Sequence, residues 1–224
     1  NITIGPLVQT WRIGFSDAHL PSTEEIQQAL ILTDPNLLEL NPEDRSVFLT
    51  KKGMKLDLGA LAKGYIADKI KDYLLSQGVT SALINLGGNV LTIGQNAVSQ
   101  RAWRIGIQNP KLLRGNHSAI LAVTNHSVVT SGIYERTLTV EGQNYHHILD
   151  RKTGYPIENQ LASLTIVSDK SVDGEIWTTR LFGESPTSIL SQIEHQTGIE
   201  ALIITQDSQL FFSSGLLEQI IPAS

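Results

Sequence analysis

The sequence predicts an α+β fold with mixed sheets and packed helices. Apolar residues alternate with polar ones in several short segments, as in half-buried strands, and recur every three or four residues in others, as in helices. The 224 residues are 41% hydrophobic, which is enough for a sizeable core, and no stretch has the composition of a linker. We therefore expect one domain over residues 1–224, or two intimately joined halves, with mixed strand order.

Two helices in the first third of the chain are marked by their end signals. Ser22 and Glu25 form a capping-box pattern before an apolar repeat, which predicts a helix over residues 22–32. Helical spacing resumes at about residue 60 and stops at Gly78, which predicts a second helix.

Short strands account for most of the remaining pattern. Residues 47–49 and 55–58 flank a turn at Lys52-Gly53, so we predict a hairpin between them. Further strands are predicted at 81–86, 90–93, 103–107, 119–123, 128–132, 161–167, 201–205 and 209–212, and further helices at 174–182 and 187–196.

Composition excludes several classes of function. The net charge is −5 and the basic residues are scattered, which argues against a nucleic-acid partner. The chain has no cysteine, so disulfides, thiolate metal sites and a cysteine nucleophile are excluded. No apolar run is long enough to span a bilayer.

A possible anion site lies where an apolar segment passes into the second helix. The sequence Asp-Leu-Gly-Ala-Leu-Ala-Lys-Gly-Tyr at 57–65 offers small residues, free amides at a helix start and the charge of Lys63. Phosphates bind well at such helix N-termini. An ordinary structural turn explains the same residues. The paired glycines of Asn-Leu-Gly-Gly-Asn at 85–89 likewise permit either close ligand approach or a simple hairpin turn.

Two further groups carry chemistry. Glu175 and Thr179 are four residues apart, so they share one helix face and offer hard oxygen ligands for Mg²⁺, although such pairs are also common on solvated faces. His147 precedes Asp150 and a Thr-Gly-Tyr-Pro turn, a setting suited to a general base. A core histidine bonded to Asp150 or to backbone is the alternative.

Taken in order, these segments resemble the FAD:protein FMN transferase family, the ApbE-type flavin transferases once called thiamine-biosynthesis lipoproteins. The resemblance runs the length of the chain, and six matches in register are far more specific than any one short motif. The matching segments are Ile-Thr-Ile-Gly-Pro-Leu-Val at 2–8, Leu-Asp-Leu-Gly-Ala-Leu-Ala-Lys-Gly-Tyr at 56–65, Ile-Asn-Leu-Gly-Gly-Asn at 84–89, Trp-Arg-Ile-Gly-Ile-Gln-Asn-Pro at 103–110, Val-Thr-Ser-Gly at 129–132 with Tyr-Glu-Arg at 134–136, and His-Ile-Leu-Asp at 147–150 with Thr-Gly-Tyr-Pro at 153–156.

The resemblance implies a Mg²⁺-dependent enzyme that binds FAD as its substrate. It would transfer FMN to a Thr or Ser hydroxyl of a partner flavoprotein through a phosphodiester bond and release AMP. FAD hydrolysis to FMN and AMP, and a flavin-binding lipoprotein without turnover, are the alternatives. The resemblance also implies an extracytoplasmic protein, held at the membrane only through a lipid anchor outside this chain, and we expect the N-terminal part of the family's domain to be absent.

Residue roles follow from the same resemblance. His147 matches the proposed base that deprotonates the acceptor hydroxyl. The residues expected to contact FAD are Thr3, Ile4, Gly5, Asp57, Lys63 and Ile148. The residues expected to ligate Mg²⁺ are Ala60, through its carbonyl, and Glu175, Thr178 and Thr179. The chain has Glu175 where the family more often has Asp, so an extra methylene must be accommodated, and Arg151 where Pro is usual.

Overall fold

The structure, a computed structural model, describes residues 1–222. Its helices are α1 (Gly5–Trp11), α2 (Thr23–Leu30), α3 (Ala62–Ser76), α4 (Ser171–Leu181) and α5 (Pro186–Ile193). Its strands are β1 (Leu38–Asn41), β2 (Ser46–Leu49), β3 (Ala82–Leu86), β4 (Asn89–Ile93), β5 (Trp103–Gln108), β6 (His117–Val123), β7 (Ser127–Gly132), β8 (Thr137–Val140), β9 (Gln143–His146), β10 (Leu161–Ser168), β11 (Ile199–Thr205), β12 (Leu210–Phe212) and β13 (Ile220–Pro222). Helices and several sheets occur together, which confirms the predicted α+β class.

The chain divides into two units. Unit 1 contains Asn1–Leu58 and Ile133–Glu158, and unit 2 contains Gly59–Gly132 and the chain from Asn159 onward. Unit 1 carries two small hairpins, β1–β2 and β8–β9. Unit 2 carries a six-stranded sheet in the order β12-β11-β10-β7-β4-β3 and a three-stranded sheet in the order β13-β6-β5.

The core of unit 1 is built around Trp11, whose side chain is fully buried. Its Nε1–H donates a 2.8 Å hydrogen bond to the Gly154 carbonyl, which satisfies the one polar atom of the ring. The ring also lies against Tyr145 and Tyr155, with centroids 5.3 and 5.7 Å away. The other buried members of this core are Leu7, Ile13, Ile26, Ala29 and Leu149. This packing fixes the turn after Asp150 to α1.

The predicted capping box is confirmed at the start of α2. The Glu25 carboxylate accepts a 2.8 Å bond from the Ser22 N–H, and the Ser22 hydroxyl accepts from the Glu25 N–H at 3.3 Å. The first N–H groups of a helix have no partner within it, and this capping box gives two backbone N–H groups a side-chain acceptor. Ile26 then packs its apolar side into the core.

The predicted hairpin between 47–49 and 55–58 is wrong. Strand β2 pairs antiparallel with β1, so the partner precedes it in the chain instead of following it. Residues 54–58 belong to no strand. The Asp57 N–H donates a 2.8 Å hydrogen bond to the Ile2 carbonyl and does not pair with β2.

The six-stranded sheet of unit 2 is antiparallel throughout. Its strand β10 is buried along all of Leu161–Ser168, and the hydroxyl residues Ser163, Thr165 and Ser168 are buried together with its apolar residues. The three-stranded sheet contributes Ile105, Leu121 and Val123 to a buried cluster shared with Val128 and Leu202 of the larger sheet. Apart from the hairpin with 55–58, the predicted strands and helices occur with shifted ends. Those not predicted are α1, β1, β8, β9 and β13.

Helices α3 and α4 approach each other closely at Gly64. A Cβ built on Gly64 would lie 2.5 Å from the Ser171 carbonyl oxygen and 2.7 Å from the Val172 Cα. Only a residue without a side chain fits there. Across the same contact, the Asp68 carboxylate accepts hydrogen bonds from the Ser171 and Val172 N–H groups at 2.7 and 3.0 Å, which caps α4.

Within residues 1–222 none of the helices combines the length and the apolar composition needed to cross a membrane.

We expect Gly64→Ala to destabilise the protein. The added methyl meets backbone atoms that cannot rotate away, and overpacking of this kind costs about 1–3 kcal/mol, partly offset by the better helix propensity of alanine. Urea unfolding should show a lower midpoint with an unchanged slope. Lys69→Ala, on the exposed face of the same helix, is the matched control and should leave the midpoint close to that of the wild type. Equal midpoints for both variants would contradict the close contact.

Candidate functional site

Glu175 is the buried carboxylate of unit 2, with 4% of its surface exposed. It lies in α4, and its Oε1 accepts a 2.8 Å hydrogen bond from the Asn89 side chain at the start of β4. The same Oε1 lies 3.6 Å from the Lys63 Nζ in the first turn of α3. Among residues 1–222 the other oxygen, Oε2, accepts no hydrogen bond. One oxygen of this carboxylate is therefore held by the protein, and the other is available to a ligand.

The threonines predicted beside Glu175 differ in their surroundings. Thr178 is fully buried, and its hydroxyl donates to the Glu175 carbonyl at 3.1 Å. Thr179 is partly exposed, and within the described part of the chain its hydroxyl makes no hydrogen bond. Glu175 and Thr179 share one face of α4, as their spacing predicted. Because Thr178 donates its hydroxyl proton, that bond uses no lone pair, and both threonine oxygens keep two lone pairs for a cation.

The start of α3 has the properties expected of an anion site. Leu61 is the N-cap residue, and no side chain caps the helix. The positive end of this 15-residue helix therefore has no capping side chain to satisfy its first amides. Ala60 lies in the exposed turn just before, and no residue of the described range 1–222 donates a hydrogen bond to its carbonyl. The side chain of Lys63 is 45% exposed beside this helix start.

The opening segment of unit 1 is fixed by tight packing. Thr3 is fully buried, and its hydroxyl donates to the Thr33 carbonyl at 2.6 Å. A Cβ on Gly5 would lie 2.7 Å from the Lys55 carbonyl oxygen. Together with the bond from the Asp57 N–H to the Ile2 carbonyl, this contact places Asp57 beside the segment at 3–5. The structure therefore brings these predicted flavin-contacting residues together. The Thr3 side chain itself is buried and bonded to the Thr33 carbonyl.

The β8–β9 hairpin delivers two histidines at its end. His147 follows β9, is partly exposed, and has its Nδ1 3.4 Å from the Arg136 carbonyl oxygen. His146 has its Nε2 2.9 Å from the Ile157 carbonyl oxygen, and its Nδ1 accepts from the Ile148 N–H at 3.3 Å. Neighbouring residues at a strand end point to opposite faces, so the two rings have different surroundings.

Burial lowers the pKa of His146 below its usual 6.5, and the bond to the Ile157 carbonyl opposes that effect only in part. With Nδ1 accepting from backbone, the proton of the neutral ring lies on Nε2. The neutral ring thus satisfies both of its nitrogens and ties residues 146–148 to Ile157. His146 has a structural role in the position of its neighbour His147.

The turn beyond Ile148 is closed by Asp150. Its carboxylate accepts from the Lys152 N–H at 2.8 Å, and its backbone pairs with Gly154 and Tyr155 at 2.7 and 2.8 Å. Arg151, which stands where the resemblance leads one to expect Pro, is accommodated within this bonded turn. The Asp150 carboxylate therefore stabilises this turn through its hydrogen bond from the Lys152 N–H.

A family model covers most of this sequence. The model described as the ApbE family matches residues 1–203. The chain belongs to the ApbE family. The resemblance found from six short segments is thereby confirmed.

Two curated relatives bear the name FAD:protein FMN transferase. The protein from Klebsiella pneumoniae (strain 342) is 44% identical over 214 residues, which cover 96% of this chain and 66% of the relative. The protein from Treponema pallidum (strain Nichols) is 33% identical over 232 residues, which cover 98% of this chain and 64% of the relative. The chain thus spans slightly less than two thirds of the length of these relatives.

Solved ApbE structures share the fold. The crystal structure of the ApbE protein from Thermotoga maritima matches with a TM-score of 0.86 and 28% identity, covering 96% of this chain and 70% of that one. The flavin transferase ApbE from Vibrio cholerae matches with a TM-score of 0.81 and 27% identity, covering 98% of this chain and 70% of that one.

Three residues of this ApbE chain that hold the site were given no such role by the sequence. Asn89 and Ser171 lie beside Glu175, and Asp68 caps α4. The only local signal was the spacing of Ser171, Glu175 and Thr179 on one helix face. Asn89 lies 86 residues from Glu175, so no short motif connects them.

We expect His146 to make the stability of this protein depend on pH. Because its pKa is lower in the folded state, the unfolded chain binds more protons as pH falls through the usual value of 6.5, and the free energy of unfolding decreases until pH passes below the folded pKa. His146→Gln removes that protonation. Urea unfolding between about pH 7.5 and pH 5.5 should therefore show a steeper loss for the wild type than for the variant. Parallel losses would contradict the lowered pKa.

Proposed function

We propose that this protein is a Mg²⁺-dependent FAD:protein FMN transferase. It would take FMN from FAD, attach it through a phosphodiester bond to a Thr or Ser hydroxyl of an acceptor flavoprotein, and release AMP. Membership of the ApbE family and the 44% identity to the Klebsiella relative of that name support the activity. The observation that carries the assignment to residues is the buried Glu175 carboxylate, held at one oxygen only, on the helix that packs against the uncapped start of α3.

The donor set of unit 2 fits Mg²⁺. No group of three or more His, Cys, Asp or Glu residues suited to a metal occurs in the described residues 1–222. Mg²⁺ does not need one, since it is commonly held by one or two carboxylates together with substrate phosphates. Glu175, Thr178, Thr179 and the Ala60 carbonyl would supply hard oxygen ligands. When bound, the ion would neutralise charge on the phosphoryl oxygens.

The start of α3 fits the diphosphate of FAD. Its uncapped amides and positive dipole end stabilise anions, and Lys63 adds a point charge that is mobile enough to follow the substrate. The 3.6 Å contact between Lys63 and Glu175 keeps the amine near the same helix start before substrate arrives. Lys63 and the amides would therefore bind and orient the diphosphate.

Within unit 1, the opening segment, Asp57 and the chain after β9 carry further residues with proposed roles. Thr3, Ile4, Gly5, Asp57 and Ile148 are proposed to line the flavin. The Arg136 carbonyl beside Nδ1 of His147 favours the tautomer with the proton on that nitrogen, which leaves Nε2 as a proton acceptor.

His147 would take the proton of the acceptor hydroxyl as that oxygen bonds to phosphorus and the bond to AMP breaks. A hydroxyl is a much weaker acid than imidazolium, so the proton leaves mainly as the new bond forms. Binding and orientation of the reacting groups therefore carry much of the rate.

The extracytoplasmic location and the lipid anchor stay predictions from the resemblance.

We expect covalent FMN on an acceptor flavoprotein domain after incubation with the protein, FAD and Mg²⁺. Intact-mass spectrometry of the acceptor, with AMP measured in the same tube, checks this. Matching amounts of labelled acceptor and AMP establish the transferase. AMP without labelled acceptor would indicate FAD hydrolysis, and bound flavin with neither product would indicate a flavin-binding protein.

His147→Ala should lower the rate of transfer by roughly 10²- to 10⁴-fold, because this is the usual contribution of a positioned general base. His19→Ala is the matched control, since His19 is an exposed histidine of the same unit whose ring contacts the Asp17 carbonyl oxygen. Initial rates of AMP release and acceptor labelling measure both variants. Wild-type rates for His147→Ala would remove it from the mechanism.

A further inference from the structure

Asn89 is a buried amide with both ends of its side chain bonded. Only 1% of its surface is exposed. Its Nδ2 donates to Glu175 Oε1 at 2.8 Å, and its Oδ1 accepts from the Ser171 hydroxyl at 2.7 Å. We infer that Asn89 is a positioning residue that holds the Glu175 carboxylate in the orientation needed to bind a divalent cation. This inference rests on the metal dependence of the proposed function.

The network determines the orientation of the amide. If the Asn89 amide were reversed, its oxygen would face the Glu175 carboxylate and repel it. In this orientation the Ser171 hydroxyl donates to Oδ1, and because a hydroxyl can donate or accept, the contact with Glu175 is what selects it. Ser171 and Glu175 are four residues apart on one face of α4, so a single amide bridges two successive turns of that helix.

The bond to Oε1 fixes a side chain with three rotatable bonds. A glutamate without such a partner would lose rotamer freedom on binding a cation, which weakens the binding. Asn89 has already ordered the carboxylate, and its bond leaves Oε2 for the cation. Partners that orient a metal ligand in this way commonly contribute 10- to 100-fold to metal affinity.

The network also accounts for the length of the side chain at 175. Glu175 begins on α4 and reaches an amide on β4, so its extra methylene is used to span that distance. An aspartate at this position would retract its carboxylate by about one C–C bond length, roughly 1.5 Å. The 2.8 Å bond to Asn89 would then be broken unless the backbone moved.

The test measures Mn²⁺ binding to the purified protein without FAD, by electron paramagnetic resonance of the free ion. Asn89→Ala should weaken Mn²⁺ binding by about 10- to 100-fold. Asn85→Ala is the matched control, because Asn85 belongs to the same hairpin but is exposed, and its side chain accepts from the Gly88 N–H. It should bind Mn²⁺ as the wild type does. Equal affinities for Asn89→Ala and the wild type would overturn the inference.

A double-mutant cycle separates positioning from a general loss of structure. Asn89→Ala should have much less effect on Mn²⁺ affinity in a Glu175→Asp background, since the shortened carboxylate no longer reaches the amide. The same fold loss in both backgrounds would overturn the inference. If Asn89→Ala does not fold, Ser171→Ala replaces it, because this change frees the other end of the amide and should weaken Mn²⁺ binding by a smaller factor.

The outcome is distinguishable from failure of the proposed function. If the wild type binds Mn²⁺ and the double-mutant cycle shows the predicted coupling, but no acceptor is labelled, the role of Asn89 is supported and the transferase is rejected. A wild type that labels an acceptor but shows no effect of Asn89→Ala on Mn²⁺ would do the reverse. A wild type that binds no Mn²⁺ would overturn the positioning role together with the metal site.

Discussion

The close contact between the first turns of α3 and α4 determines the geometry of unit 2. Gly64 permits the approach, because a side chain there would overlap the Ser171 carbonyl. Asp68 then satisfies the Ser171 and Val172 N–H groups and places a negative charge at the positive end of α4. Lys63 and Glu175 lie in the first two turns of these helices, so their spacing follows from this contact.

The polar groups brought together by that contact are mostly buried, and burial raises the free-energy cost of leaving any of them without a hydrogen bond. An unpaired polar atom in such a place would cost a large part of its desolvation free energy. The Asn89 amide removes that cost by bonding Ser171 and Glu175 at once. The position of the Glu175 carboxylate on α4 is therefore set by contacts from α3 and β4 as well.

Unit 1 uses aromatic packing to position a loop. Trp11 bonds the Gly154 carbonyl and contacts the rings of Tyr145 and Tyr155, so the chain on both sides of His147 is fixed to α1. Strand alternation then separates the roles of two adjacent histidines. Burial lowers the pKa of His146, whose ring is bonded to backbone, and the ring of His147 is partly exposed.

The sequence by itself determined what local interactions control. The Ser22 capping box, the helix ending near Gly78 and the strands bounded by glycine all depend on residues a few positions apart, and each was predicted. It also predicted Glu175 with Thr179 on one face. Tertiary structure alone decided the partner of β2 and the bond between Asn89 and Glu175. Residues 55–58 do not form the predicted hairpin, and the Asp57 N–H bonds the Ile2 carbonyl. Packing between segments distant in sequence outweighs a local strand pattern here.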